Sequence, residues 1–136
     1  MPRAEILFWV LLGATSIAAA AALYGRYRVL PAFLTGPRIC RLEAGGCAVL
    51  FRTRTAALLG VPNAALGLAS SAILAAGRLA GADSGVLWIA ATPAALMSLV
   101  LTFVLLRDRL ECRICWVGNV ANVLLWSVLA AETFRR

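Results

Sequence analysis

Residues 86–106 read VLWIAATPAALMSLVLTFVLL, 21 consecutive positions without a charged side chain. At about 1.5 Å of rise per residue, a helix of this length covers the roughly 30 Å hydrocarbon core of a bilayer. In lipid every backbone N–H and C=O must find its partner inside the protein, so helix is the expected conformation of such a run. Three further stretches share the pattern: residues 6–23, free of charge; residues 58–76; and residues 116–134, interrupted only by Glu132. The expectation is an all-α integral membrane protein: a four-transmembrane-helix bundle forming a single domain over residues 1–136.

The composition agrees with this. Of 136 residues, 62% are hydrophobic and 14% charged, and the mean hydropathy is +0.90. A soluble domain averages about 45–50% apolar and about 25% charged residues. The same figures exclude intrinsic disorder, and four spans leave no room for a large extramembrane catalytic domain. The first stretch, with Arg3 before it and an alanine run at its end, has the outline of a secretory leader. It is long for one and has Glu5 among its leading residues, so a retained first span is expected. The abundance of Ala, Gly and Ser suits close helix approach. Pro93 is expected to kink the third span. Trp9, Tyr24, Tyr27, Trp88, Trp116 and Phe134, near span ends, fit interfacial belts.

Lys+Arg number 13 against 6 Asp+Glu, a formal net charge of +7, and all 13 are Arg. Basic loops beside membrane spans explain this charge better than nucleic-acid binding does. The chain has no His, which removes the commonest general base and every mixed Cys/His zinc site. Chemistry therefore falls to four cysteines: Cys40, Cys47, Cys112 and Cys115.

The connections are unequal. Residues 77–85 (GRLAGADSG) and 107–111 read as short turns, whereas residues 25–57 form the one long loop, with two cysteines and six arginines. Within it, AVLFRTRTAALLG (48–60) reads as a short amphipathic surface helix leading into the second span. Four antiparallel spans put the long loop and the last turn on one side, so all four cysteines share a face. Isolated cysteines are usually small buried apolar residues, but two pairs on one face are not explained in that way. Cys112-Arg113-Ile114-Cys115, at a helix start, is either a redox dithiol or half a metal site. The helix N-terminus and Arg113 favour a thiolate there, and a second dithiol nearby permits thiol–disulfide exchange. The rival is a structural protein holding one zinc with four cysteines, against which the six residues between Cys40 and Cys47 are a loose spacing. A membrane dithiol needs an electron sink, and a lipid-soluble quinone suits a pocket enclosed by four helices.

The four-span layout, the two loop cysteines, the GVPNAALGL segment (60–68) and Cys112-x-x-Cys115 before the fourth span together resemble the vitamin K epoxide reductase family in its short prokaryotic form. The resemblance covers nearly the whole chain. The other bacterial quinone-linked thiol oxidase family carries its Cys-x-x-Cys in the first loop instead. The resemblance implies a disulfide-forming oxidoreductase with catalytic Cys40, Cys47, Cys112 and Cys115. In it Cys115 faces the quinone, Cys112 is its partner, Cys47 attacks Cys112, and Cys40 exchanges with a thioredoxin-like protein. It further implies a quinone-binding set of Asn63, Thr53, Asn119 and Asn122. Asn119 stands where vertebrate members carry a Tyr, which favours quinone reduction over epoxide reduction. The cofactor implied is a menaquinone- or ubiquinone-type quinone, with no metal. The resemblance is to the form without the thioredoxin-like domain fused to some bacterial members, so a separate partner is expected, and the chain is expected to be a monomer.

Sidedness follows from the arginines. Nine lie on the cysteine side (26, 28, 38, 41, 52, 54, 107, 109 and 113) and four on the other (3, 78, 135 and 136). By the positive-inside rule the cysteines face the cytoplasm, whereas members of the family hold them outside. Cytoplasmic disulfide formation suits cells with disulfide-rich intracellular proteins, such as hyperthermophilic archaea. The absence of Gln agrees with such a habitat, and the absence of Lys does not.

Overall fold

The structure, a computed structural model, describes residues 2–27, 63–107 and 113–136. These form four helices and no strand: α1 (Pro2–Tyr27), α2 (Asn63–Leu79), α3 (Ser84–Arg107) and α4 (Arg113–Phe134). The Pro2–Tyr24 part of α1, together with α3 and α4, is long and apolar enough to cross a membrane. The 17 described residues of α2 are fewer. The expected surface helix at 48–60 lies outside the described residues, as do residues 58–62 of the expected second span.

The distribution of side chains is that of a protein built for lipid. On α3, Ile89, Leu96, Val100, Phe103 and Leu106 are exposed, Ile89 by 67%, while Ser84, Ala91, Ala95 and Ser98 are buried, Ser98 to 3%. Water would disfavour so continuous an apolar exterior. In lipid the outward residues lose nothing, and small inward ones let backbones pack. The helix runs through Pro93 from Ser84 to Arg107.

Successive helices run antiparallel. α4 packs most extensively on α1 and α3, and α2 packs on α1 and, less extensively, on α3. The α1–α4 contact depends on Gly118, where an added Cβ would stand 3.2 Å from the Ala18 Cβ. Gly118→Val forces these helices apart, and overpacking of this kind costs about 1–3 kcal/mol. Unfolding in detergent should therefore shift to lower temperature for this variant.

The α2–α3 connection is shorter than the expected turn at 77–85, because Gly77, Arg78 and Leu79 belong to α2. The helix ends in a Schellman arrangement: Ala82 N–H donates to Gly77 C=O (2.9 Å) and Gly81 N–H to Arg78 C=O (3.1 Å). Gly81 takes a φ of +77° there, which a side chain would oppose. Asp83 then caps α3, its Oδ1 accepting from Gly85 N–H at 2.8 Å.

That end of the bundle is closed by an ion cluster. Arg78 Nε donates to Glu5 Oε2 (3.0 Å) and its Nη1 to Glu132 Oε2 (3.0 Å). Its guanidinium lies 5.0 Å from the Phe8 ring centroid. Ser84 Oγ donates to Glu132 (3.3 Å) and Trp9 Nε1 to Glu5 (2.7 Å). One side chain at the end of α2 thus ties the start of α1 to the end of α4. Beside it Trp88 packs on Trp126 and Phe134, with centroids 5.6 and 5.3 Å away.

Candidate functional site

The ends of α1 and α3 and the starts of α2 and α4 gather at the opposite end of the bundle. Cys115 is the third residue of α4, half-buried, and Asn63 is the first of α2. Both line a cavity of about 460 Å³ walled by all four helices, within the usual range for small-molecule sites. Its origin is in the sequence. Ala18, Ala19 and Ala22 on α1, and Ala64, Gly67 and Ser70 on α2, leave a gap that large side chains would fill. Leu101, Leu105 and Ile114 make the wall apolar near Cys115. Ala69 and Ile73 of α2, and Ala90 and Pro93 of α3, line the cavity while exposed on the outside. The cavity therefore opens on the flank between these two loosely packed helices.

Of the expected site residues, Asn63, Cys115, Asn119 and Asn122 line this one cavity. Cys115, Asn119 and Asn122 are spaced by four and three residues, so they share one face of α4. Cys40, Cys47, Thr53 and Cys112 lie outside the described residues, and so does the four-cysteine zinc alternative. Asn122 has a task of its own: its Nδ2 donates to Ser98 Oγ at 2.9 Å, tying α4 to α3. Asn119 is different. It is 7% exposed, and its Nδ2 has no hydrogen-bond partner among the described residues. Buried donors are rarely left unpaired, and losing a partner costs about 1–3 kcal/mol. A ligand offering an acceptor oxygen in the cavity would satisfy it.

Three polar residues of the cavity escape a reading of the sequence, Thr15, Ser70 and Ser98. All are hydroxyls within apolar runs, where bonding to the helix's own backbone is the ordinary expectation. Against known proteins, the chain matches no family model, no curated protein and no solved structure at a significant level.

Proposed function

We propose that this chain is a quinone-dependent thiol oxidoreductase of the vitamin K epoxide reductase type. In this reading α2 completes a set of four membrane crossings, and the protein oxidises a separate thioredoxin-like partner to support disulfide formation. The observation that carries the proposal is the convergence of Cys115, Asn63 and Asn119 on one apolar cavity that opens toward lipid.

The exchange steps balance. The partner's dithiol reduces the Cys40–Cys47 disulfide and leaves as a disulfide. The Cys47 thiolate then attacks Cys112, and Cys115 departs as thiolate. Cys40 next attacks Cys47, which restores the loop disulfide and frees Cys112. When Cys112 and Cys115 pair again, two electrons and two protons are given up. A quinone in the cavity would accept both pairs and leave as quinol. Asn63 and Asn119 orient the ring through its oxygen acceptors, and the Ala, Leu and Ile wall excludes water. The sideways opening between α2 and α3 lets an isoprenoid tail remain in lipid.

The test is exhaustive oxidation of the reduced chain. Fully reduced protein, freed of reductant and mixed anaerobically with excess quinone, should yield two quinols per chain, with Cys40–Cys47 and Cys112–Cys115 disulfides by peptide mapping. No quinol, together with one zinc per chain by metal analysis, would replace this reading with the four-cysteine site.

We assign the cysteine end to the cytoplasmic side on the arginine distribution. A membrane-impermeant maleimide should leave Cys40 unmodified in intact cells expressing the reduced protein. Modification from outside would reverse the assignment.

A further inference from the structure

The two halves of α2 are held very differently. Its buried residues are Ser71 and Leu74, and residues 63–70 are all half-buried or exposed. Leu74 belongs to the apolar core with Phe8, Leu12 and Leu87. One turn later Gly77 lies against Leu87, and Arg78 bonds to Glu5 and Glu132. The C-terminal end of α2 is therefore fastened to α1, α3 and α4 together. The other half has no such fastening. There Gly67 meets Ala19 only at ordinary contact, 3.5 Å from an added Cβ. From residue 64 to residue 77, no α2 side chain hydrogen-bonds to another helix among the described residues.

The remaining helices are pinned to one another at the level of the cavity. Trp126 Nε1 donates to Thr92 Oγ1 (3.1 Å) and Asn122 Nδ2 to Ser98 Oγ (2.9 Å), so α3 is tied to α4 on both sides of Pro93. α4 is seated on α1 where Gly118 meets Ala18. Ala18, Ala95, Ser98, Leu105 and Ile114 are all buried along this stretch. A segment with few buried contacts opens at lower free energy than segments set in a core. Of the two helices that flank the lipid-facing opening, α3 is fixed and the Asn63 end of α2 is not.

We propose that α2 is a door on a frame made by α1, α3 and α4. It pivots about Leu74–Arg78, and its Asn63 end swings away from α3 to admit a ring from the lipid. Helix rise puts Ala69 about 13 Å from Arg78. Widening the opening there by one ring thickness, about 3.5 Å, takes a tilt of about 15°. The same tilt moves Asn63 by about 6 Å, Ala65 by about 5 Å and Ala76 by about 1 Å. Asn63 therefore meets the ring only as the door shuts, whereas Cys115 stays in place on the frame. This rests on the quinone reading of the cavity and adds an order of events: entry from the flank, closure, then electron transfer.

The experiment is pulsed EPR distance measurement on the full chain in detergent. A ketone-bearing amino acid coupled to a nitroxide leaves the native cysteines in place and oxidised. One label replaces Val120 of α4. The second replaces Ala65, Ala76 or, on the frame, Leu99; none of the four positions lines the cavity. Without ligand, the distances of the Ala65 pair should spread over about 5 Å more than those of the Leu99 pair, and the Ala76 pair over about 1 Å more. Excess 2,3-dimethyl-1,4-naphthoquinone, which has no free position for thiol addition, should narrow the Ala65 pair to the width of the Leu99 pair. Three results would each overturn the door alone: a ligand-free Ala65 pair as narrow as the Leu99 pair, equal widths for the Ala65 and Ala76 pairs, or a bound ring that leaves the Ala65 pair broad. Equilibrium dialysis reports whether the ring is bound. Unlabelled protein that does not bind it would overturn the quinone reading beneath the proposal.

Discussion

Cys115→Ala should slow quinone reduction by at least about 10³-fold, a barrier increase of about 4 kcal/mol, while ring affinity stays within about twofold. Cys115 is the cysteine that stands at the cavity wall among the described residues. If it carries the electrons, its removal leaves Cys112 unable to close the disulfide that releases them. Alanine fits the space, because a half-buried cysteine behaves as a small apolar residue. A purely structural cysteine would give the opposite pattern, with modest loss of stability and retained turnover. Stopped-flow reduction and ring binding, measured on the same preparations, separate the two.

Arg78→Met should lower stability by about 2–4 kcal/mol, the largest effect expected from a single charged side chain among the described residues. The side chain is 16% exposed, and its partners Glu132 and Glu5 are 18% and 44% exposed. Removing the arginine leaves Glu132 nearly buried beside Ser84 without its counter-ion. Glu5 can turn to water, which keeps the loss below that of a fully buried triad. Arg136→Met is the contrast. Its bond to Asp83 is short, but the side chains are 68% and 58% exposed, so a change under about 0.5 kcal/mol is expected. Urea unfolding of both variants in one detergent checks the pair of values. Equal effects would mean that the cluster is not the clasp that closes the bundle.

The helices that could be read from the sequence were those with uninterrupted apolar runs. The stretches at 6–23, 86–106 and 116–134 sit inside α1, α3 and α4 with two to four residues of margin at most ends. The turn at 77–85 was misjudged for a physical reason. It contains three glycines and an arginine, all of which look like solvated loop. Yet Gly77 is helical because its missing side chain accommodates Leu87, whose Cδ2 would stand 2.7 Å from an added Cβ. Arg78 is helical because its charge is met by residues 73 and 54 positions away. Nothing local announces such partners, and Glu5 and Glu132 read from sequence only as blemishes in apolar runs.

The site divides in the same way. Cys115 stands out as a thiol, and Asn63, Asn119 and Asn122 were expected from the family resemblance; all four line the one cavity. Thr15 was not expected, because a threonine in a helix normally spends its hydroxyl on the backbone, and only the three-dimensional arrangement reveals that this one does not.

The central claim is that this bundle carries electrons from protein thiols to a membrane quinone. Its most direct test is steady-state turnover of the purified chain in detergent, driven by a reduced thioredoxin-like dithiol, with quinol and partner disulfide counted together. The account predicts one quinol per disulfide formed, with no disulfide when quinone is omitted. Absence of quinol with several quinones and several dithiols would contradict it.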